Sequence, residues 1–183
     1  MTSRPWQPIV GQSFTPATFA NYCSTLQWRD WRPSFIVLHN TAVPTLASLP
    51  HGFSQASMKG FQNYYQDTMS WSAGPHLFVD DNQIWVFTPL TVYGIHSPSW
   101  NTVSFGVEML GDYATEDFST GRGLAVQQNA ASAIATLSSA LRIAPNSMKL
   151  HKEDPLTTHV CPGIGVVKSD FITAVINQAN NPV

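Results

Sequence analysis

Apolar and polar positions recur along this chain with two different periods, and the switches between them predict its elements. "SFIVLHNTA", residues 34–42, is a short apolar run of branched residues that ends in polar ones. It reads as a buried strand with His39 at its C-terminal end. "PHLFVDDNQIWVF" reads as strand, turn, strand, with His76 to Val79 and Gln83 to Phe87 flanking Asp80-Asp81-Asn82. "TVSFGVEML", residues 102–110, alternates cleanly. Val103, Phe105, Val107 and Met109 take one side, and Ser104, Gly106 and Glu108 take the other. Glu108 therefore falls on a face of small residues, where there is space.

Elsewhere the period is helical. Thr15-Pro16 opens a short helix over 15–27, since proline is tolerated at the first helical position. Met58, Phe61, Tyr65 and Met69 follow at helical spacing behind Ser54 as N-cap. From Leu124 to Leu141 one stripe carries Leu124, Gln127, Ala131, Ile134, Leu137 and Leu141. A last helix over 169–179 turns Phe171, Ile172, Val175 and Ile176 inward. Strands interspersed with helices, without repeat or linker, predict an α/β fold in a single domain over 1–183. Residues 1–33, rich in Pro and Trp, read as an N-terminal extension packed on it. Trp6, Trp28 and Trp31 in that extension either cap the core or meet substrate.

Composition narrows the class. A chain of 183 residues with 43% hydrophobic residues supports one sizeable core. The net charge of -2, with no run of Lys or Arg, excludes an electrostatic nucleic-acid footprint. No apolar run is long enough to span a bilayer. "MTSRPWQPIVGQSFTP" lacks an apolar h-region, so the chain is expected to be made in the cytoplasm without a conventional signal peptide. If it acts outside, another route must release it. Two cysteines, Cys23 and Cys161, permit one disulfide but make no disulfide scaffold.

In a chain with only 11% charged residues, "LHKEDPLTTHVCPG", residues 150–163, concentrates reactive groups. Zinc takes His nitrogen and Cys thiolate, and a catalytic site keeps three protein ligands plus water. His39 ends a strand, His151 opens this loop and Cys161 closes it. The spacing is unlike the short pairs of zinc fingers, and by itself leaves these histidines open to a plain core role.

Four segments in order, "FIVLHNTA", "WSAGPHLFVDDNQIWVFTPL", "GIHSPSWNTVSFGVEMLGDY" and "LHKEDPLTTHVCPG", resemble the zinc-dependent N-acetylmuramoyl-L-alanine amidases, whose fold peptidoglycan recognition proteins share. The resemblance runs from about Phe35 to Gly163 and implies a central mixed β-sheet flanked by helices. It implies one Zn²⁺ per chain on His39, His151 and Cys161. Glu108 matches a glutamate that some relatives use as general base; its alternative is a structural carboxylate. His159 stands where relatives carry Lys or Thr and would help stabilise the oxyanion; its alternative is to replace His151 as ligand. His96 matches a loop histidine near the substrate groove, or is a surface residue. Trp71 and Trp100 are groove walls or core. Asn40 and Thr41, which follow a ligand, are ligand-supporting residues, and Asn40 is also expected to bind substrate. His76 packs beside the site or orients a ligand, Asp154 braces the loop, and His51 is exposed. Some relatives carry a tyrosine just before the second segment's histidine, where this chain has Pro75.

The function so implied is hydrolysis of the amide between N-acetylmuramic acid and L-alanine in peptidoglycan, by a monomeric phage or prophage endolysin. Two alternatives accompany it: a non-hydrolytic peptidoglycan-binding module, and a cytoplasmic amidase that recycles soluble muropeptides. Nucleic acid and membrane are not expected partners.

Overall fold

Six strands form one mixed sheet in a computed structural model that describes residues 5–181. The first four residues of the N-terminal extension and residues 182–183 lie outside the described residues. The strands are β1 (Gln12–Phe14), β2 (Phe35–Asn40), β3 (Leu77–Val79), β4 (Ile84–Val86), β5 (Ser104–Met109) and β6 (Lys149–Leu150). Their order across the sheet is β1-β4-β3-β5-β2-β6. β3, β5, β2 and β6 run parallel, and β4 and β1 add antiparallel strands at one edge. The helices are α1 (Pro16–Thr25), α2 (Gln55–Asn63), α3 (Gly121–Leu141) and α4 (Lys168–Asn180). α2 runs on into a π-helical turn, Tyr64–Thr68.

The local signals act as expected at the helix starts. Thr15 and Ser54 are the N-caps of α1 and α2, each in a reciprocal capping box with the residue three further on. The alternation in β5 is also real. Its apolar side, Phe105, Val107 and Met109, joins Ile36 and Leu38 of β2 in a core shared with Val126, Ala130 and Ile134 of α3. α4 and α1 pack on α3 in turn. Trp6 meets Phe87 edge-on, and Trp28 and Trp31 meet Phe105 in the same way, so these tryptophans cap the core.

Three features depart from the sequence reading. β1 and β6, of three and two residues, escape it because neither is long enough to show a period. The buried face of α3 begins with Gly123, Val126 and Ala130, whereas Leu124 and Gln127 are only half-buried. In α4, Phe171 and Val175 are buried, but Ile176 is 41% exposed, one position beyond the inward stripe.

Asp80 ties the β3–β4 turn to the start of α2. It is buried, and its carboxylate accepts from the backbone N–H groups of Phe53 (2.6 Å), Asn82 (2.7 Å) and Gln83 (2.7 Å). Asp80→Ala strands three donors, one of them deep in the core. Since each unsatisfied buried group costs about 1–3 kcal/mol, urea denaturation should show a loss of at least about 2 kcal/mol. A loss below about 0.5 kcal/mol would show that water replaces the carboxylate without penalty.

Candidate metal centre

The site forms at the carboxyl ends of the parallel strands, where open α/β sheets usually bind ligands. His39 is the fifth residue of β2 and lies opposite Glu108 of β5. On the other side, Leu38 pairs with Leu150, so the chain leaves β6 with His151 beside His39. The two imidazole centroids are 4.4 Å apart. The loop after His151 then returns to the strand ends. Cys161 Sγ accepts the Asn40 N–H at 3.3 Å, and the Cys161 carbonyl accepts the Lys152 N–H at 2.8 Å. Gly163 completes this return. It has φ +103°, and a Cβ there would lie 2.5 Å from the Tyr113 carbonyl carbon, so only glycine fits.

One donor atom from each of His39, His151 and Cys161 lies within 4.8 Å of the others. One zinc ion with tetrahedral bonds of about 2.0–2.3 Å draws its donors to about 3.3–3.8 Å, so the set needs to contract by up to about 1 Å to hold it. The chemistry of the set fits. His151 Nε2 is buried without a hydrogen-bond partner, the condition a cation relieves. Burial holds the His39 imidazole well below its ordinary pKa, with His96 and His151 adding to the effect. His151 is lowered by burial and by His159. Both rings are therefore neutral, as ligands must be. The Cys161 thiol is pushed up by burial and by Glu108, opposed by the Asn40 N–H. A cation at this point reverses that penalty and favours the thiolate. Cys23 is also free and lies buried in α1, so no disulfide competes for Cys161.

Around the triad opens a groove of ≈ 560 Å³. Tyr64, Tyr65, Met69 and Trp71 line one part of it, and Leu156 to Val160 another. No Lys or Arg is among the described residues that line it. Glu108 reaches the groove, and burial pushes its carboxyl up to about 8. His159 is exposed in the same groove, its ring centroid 5.8 Å from His151. Trp71 lines it too and stacks on Tyr65 at 5.2 Å. A hollow of ≈ 590 Å³ between α1, α3 and α4 has Cys23 but no His, Asp or Glu among its described lining residues.

Other expected site residues sit differently. Trp100 lies outside the groove, edge-on to Phe35 with Lys149 over its ring. Phe35 begins the strand that His39 nearly ends, four residues and roughly 13 Å away, so Trp100 is no wall of this groove. Asn40 borders the groove, and its side-chain Nδ2 donates to the Gly111 carbonyl at 2.9 Å. Its backbone N–H serves Cys161, so it supports a ligand residue. His96 borders the groove as well, buried at 5% exposure and bonding His39 at 3.1 Å; it is not a surface loop residue. His76 is fully buried, accepting from the Gly106 N–H and bonding the Val92 carbonyl.

Tyr65 is the residue that sequence reasoning placed only as a helical packing position. Burial raises its phenol well above the ordinary value, and Glu108 and Cys161 are close enough to add to the shift. Its only sequence signal was helical spacing, which does not distinguish a groove wall from a core position.

Asp154 braces the loop as expected. It is 2% exposed and accepts from Ser97 Oγ (2.5 Å), Ser99 Oγ (2.6 Å), the Ser99 N–H (3.0 Å) and the Leu156 N–H (2.9 Å).

A sequence-family profile described as N-acetylmuramoyl-L-alanine amidase matches residues 29–164, well over half of the chain. Among curated proteins, peptidoglycan-recognition protein SC2 of Drosophila simulans is 26% identical over 91 residues, covering 49% of this chain and 48% of that protein. The chain thus matches about half the length of that relative. Among solved structures, the N-acetylmuramoyl-L-alanine amidase LysC from Clostridium intestinale superposes with a TM-score of 0.62 at 21% identity, covering 84% of this chain and 94% of that one. A Drosophila PGRP-LB variant in complex with tracheal cytotoxin gives a TM-score of 0.61 at 18% identity, covering 99% and 90%. These superpositions establish the shared fold.

Burial alone would raise the Asp154 carboxyl, but its hydrogen bonds from Ser97, Ser99 and Leu156 hold it at about 2. A carboxyl depressed on folding stabilises the native state above its ordinary pKa of about 3.9, and that support is lost as pH falls through 2. Asp154→Asn should therefore lower the melting temperature at pH 7, with the gap to wild type narrowing between pH 4 and pH 2. A gap independent of pH in thermal melts would mean that the charge contributes nothing.

Proposed function

The chain belongs to the N-acetylmuramoyl-L-alanine amidase family, and from that premise we propose that it hydrolyses the amide between N-acetylmuramic acid and L-alanine in peptidoglycan. The observation that carries this reading is the convergence of His39, His151 and Cys161 at the floor of an open groove. In this reading these three side chains hold one zinc ion per chain. When bound, the metal would supply a Lewis acid that acidifies water and draws charge from the scissile carbonyl.

The remaining chemistry falls to residues of this chain. Glu108 sits half-buried beside the triad, where burial raises its carboxyl and a bound cation would favour the carboxylate that a general base needs. It takes a proton from the attacking water, whose oxygen bonds to the carbonyl carbon. It then returns that proton to the alanine nitrogen as the C–N bond breaks. Tyr65, a phenol that stays protonated, and His159 are the hydrogen-bond donors assigned to the developing oxyanion, in a groove with no Lys or Arg among its described lining residues. Trp71 and Tyr64 offer ring faces to apolar sugar or peptide surface.

The substrate proposal draws support from the structural neighbour solved in complex with tracheal cytotoxin. We assign the enzyme a lytic, phage or prophage role on the cell wall after release, in keeping with the endolysins that share its fold. No helix among the described residues is long and apolar enough to cross a membrane.

The test joins metal content to amide cleavage. Purified protein should carry about one zinc per chain, and chelation should abolish release of L-alanine amino groups from sacculi, with activity restored by zinc. Zinc without cleavage of sacculi or soluble muropeptides would favour a binding module. Cleavage of soluble muropeptides alone would favour recycling. His39→Ala, His151→Ala and Cys161→Ala should each lose zinc and activity; a variant that keeps both is not missing a ligand. Glu108→Gln should keep zinc and slow turnover by about 10²–10⁴-fold, whereas unchanged turnover would make it structural. Tyr65→Phe should keep zinc and lower kcat by at least about 10-fold; an unaltered kcat would leave the oxyanion to His159.

A further inference from the structure

We propose that His96 is a positioning residue: it locks the tautomer of His39, so that His39 presents Nδ1 to the metal. The inference rests on the zinc reading of the site, but its first test does not.

The Ser104 carbonyl oxygen can only accept a hydrogen bond. His96 Nε2 lies 3.3 Å from the Ser104 carbonyl oxygen, so the His96 proton sits on Nε2. A neutral imidazole has one N–H, so with the proton on Nε2 the Nδ1 of His96 can only accept. His96 Nδ1 therefore holds a lone pair, and it faces His39 Nε2 at 3.1 Å. That contact is a hydrogen bond only if His39 carries its proton on Nε2. A neutral imidazole has one N–H, so the His39 lone pair is left on Nδ1. One backbone carbonyl thus sets the tautomers of two rings in series.

The ring that makes this relay is seated by three separate devices. Gly106, on the small-residue side of β5, leaves the space it fills: a Cβ there would lie 2.4 Å from His96 Cγ and 2.8 Å from Nδ1. Asn101 Oδ1 accepts from the backbone N–H groups of His96 (2.7 Å) and Ser97 (2.8 Å), fixing the loop below the ring. Ser97 Oγ donates to Asp154, three residues after His151, so the same loop is tied to the segment carrying a second ligand. Metal-binding histidines are commonly oriented by a carbonyl or carboxylate on the far nitrogen. Here a second histidine carries the carbonyl's influence across a gap that β5 itself does not span.

The first experiment records two-bond ¹H–¹⁵N correlations of the histidine rings in the metal-free wild-type protein. His39 should be protonated on Nε2; protonation on Nδ1 would overturn the proposal without reference to activity. The second compares variants. His96→Phe fills the space but offers no acceptor, and should give a mixed or switched His39 tautomer. It should also weaken zinc about 10–100-fold in competition with a chromophoric chelator. His96→Asn, whose Oδ1 falls near the Nδ1 position, should keep the tautomer and hold zinc within a few-fold. Gly106→Ala should behave like His96→Phe although the histidine is still present. An unchanged tautomer and zinc affinity in His96→Phe would reduce His96 to packing. If the wild type binds no zinc, the metal reading fails, while the wild-type tautomer still decides the relay.

Discussion

β2 is shared between two parallel pairings, with β5 on one side and β6 on the other, and the register of each places a reactive residue beside His39. The strand is buried, so its N–H and C=O groups must find partners, and its side chains are committed to one face or the other. A slip of one residue would turn His39 into the core under α3 and bring Leu38 to the groove. Ile36 and Leu38 resist that slip because their burial against the α3 side holds the register. The hydrophobic packing on one face of the sheet thereby determines the chemistry on the other.

That chemistry costs stability wherever a polar group is buried, and the structure offsets nearly all of it with hydrogen bonds. Asp154 takes four donors, His76 uses both ring nitrogens, and His96 bridges a carbonyl and a histidine. Among the described residues the buried side-chain atoms without a partner are Trp6 Nε1, Trp85 Nε1, Ser138 Oγ and His151 Nε2, and of these His151 alone belongs to the site. His151 Nε2 has no partner, and the Cys161 thiol meets little besides the Asn40 N–H and a weak 4.0 Å contact to the Asn40 carbonyl. Unsatisfied groups next to satisfied ones of the same kind mark where binding energy has been kept for a ligand. This gives the fold a reason to be firmer when the site is filled.

The groove divides its work between rigid and exposed parts. His39 and Glu108 stand on the central strands, and His151 follows directly from β6, so their spacing is set by backbone hydrogen bonds. Tyr64 and Met69, by contrast, come from the π-helical end of α2 and stand 50% and 39% exposed, and Leu156 and Val160 across the groove are 71% and 63% exposed. Apolar side chains in that state gain from being covered, which suits a groove that receives an extended substrate.

By itself the sequence determined the elements whose signals are local. Capping at Thr15 and Ser54, the alternation of β5 and the punctuation around Asp80 all act between residues a few positions apart. It also marked His39, His151 and Cys161 as candidates, by residue type and by resemblance. Only the tertiary structure decided how they meet. β6 has two residues and no period, yet its pairing with Leu38 is what sets His151 against His39. Trp100 and His96 stand four residues apart in one loop; the loop turns back along β5, leaving one at the far end of the strands and burying the other over Gly106. Tyr65 carried a core residue's spacing and became a groove wall. These outcomes depend on strand register and on which space a glycine leaves open, and both arise from contacts between residues distant in the chain.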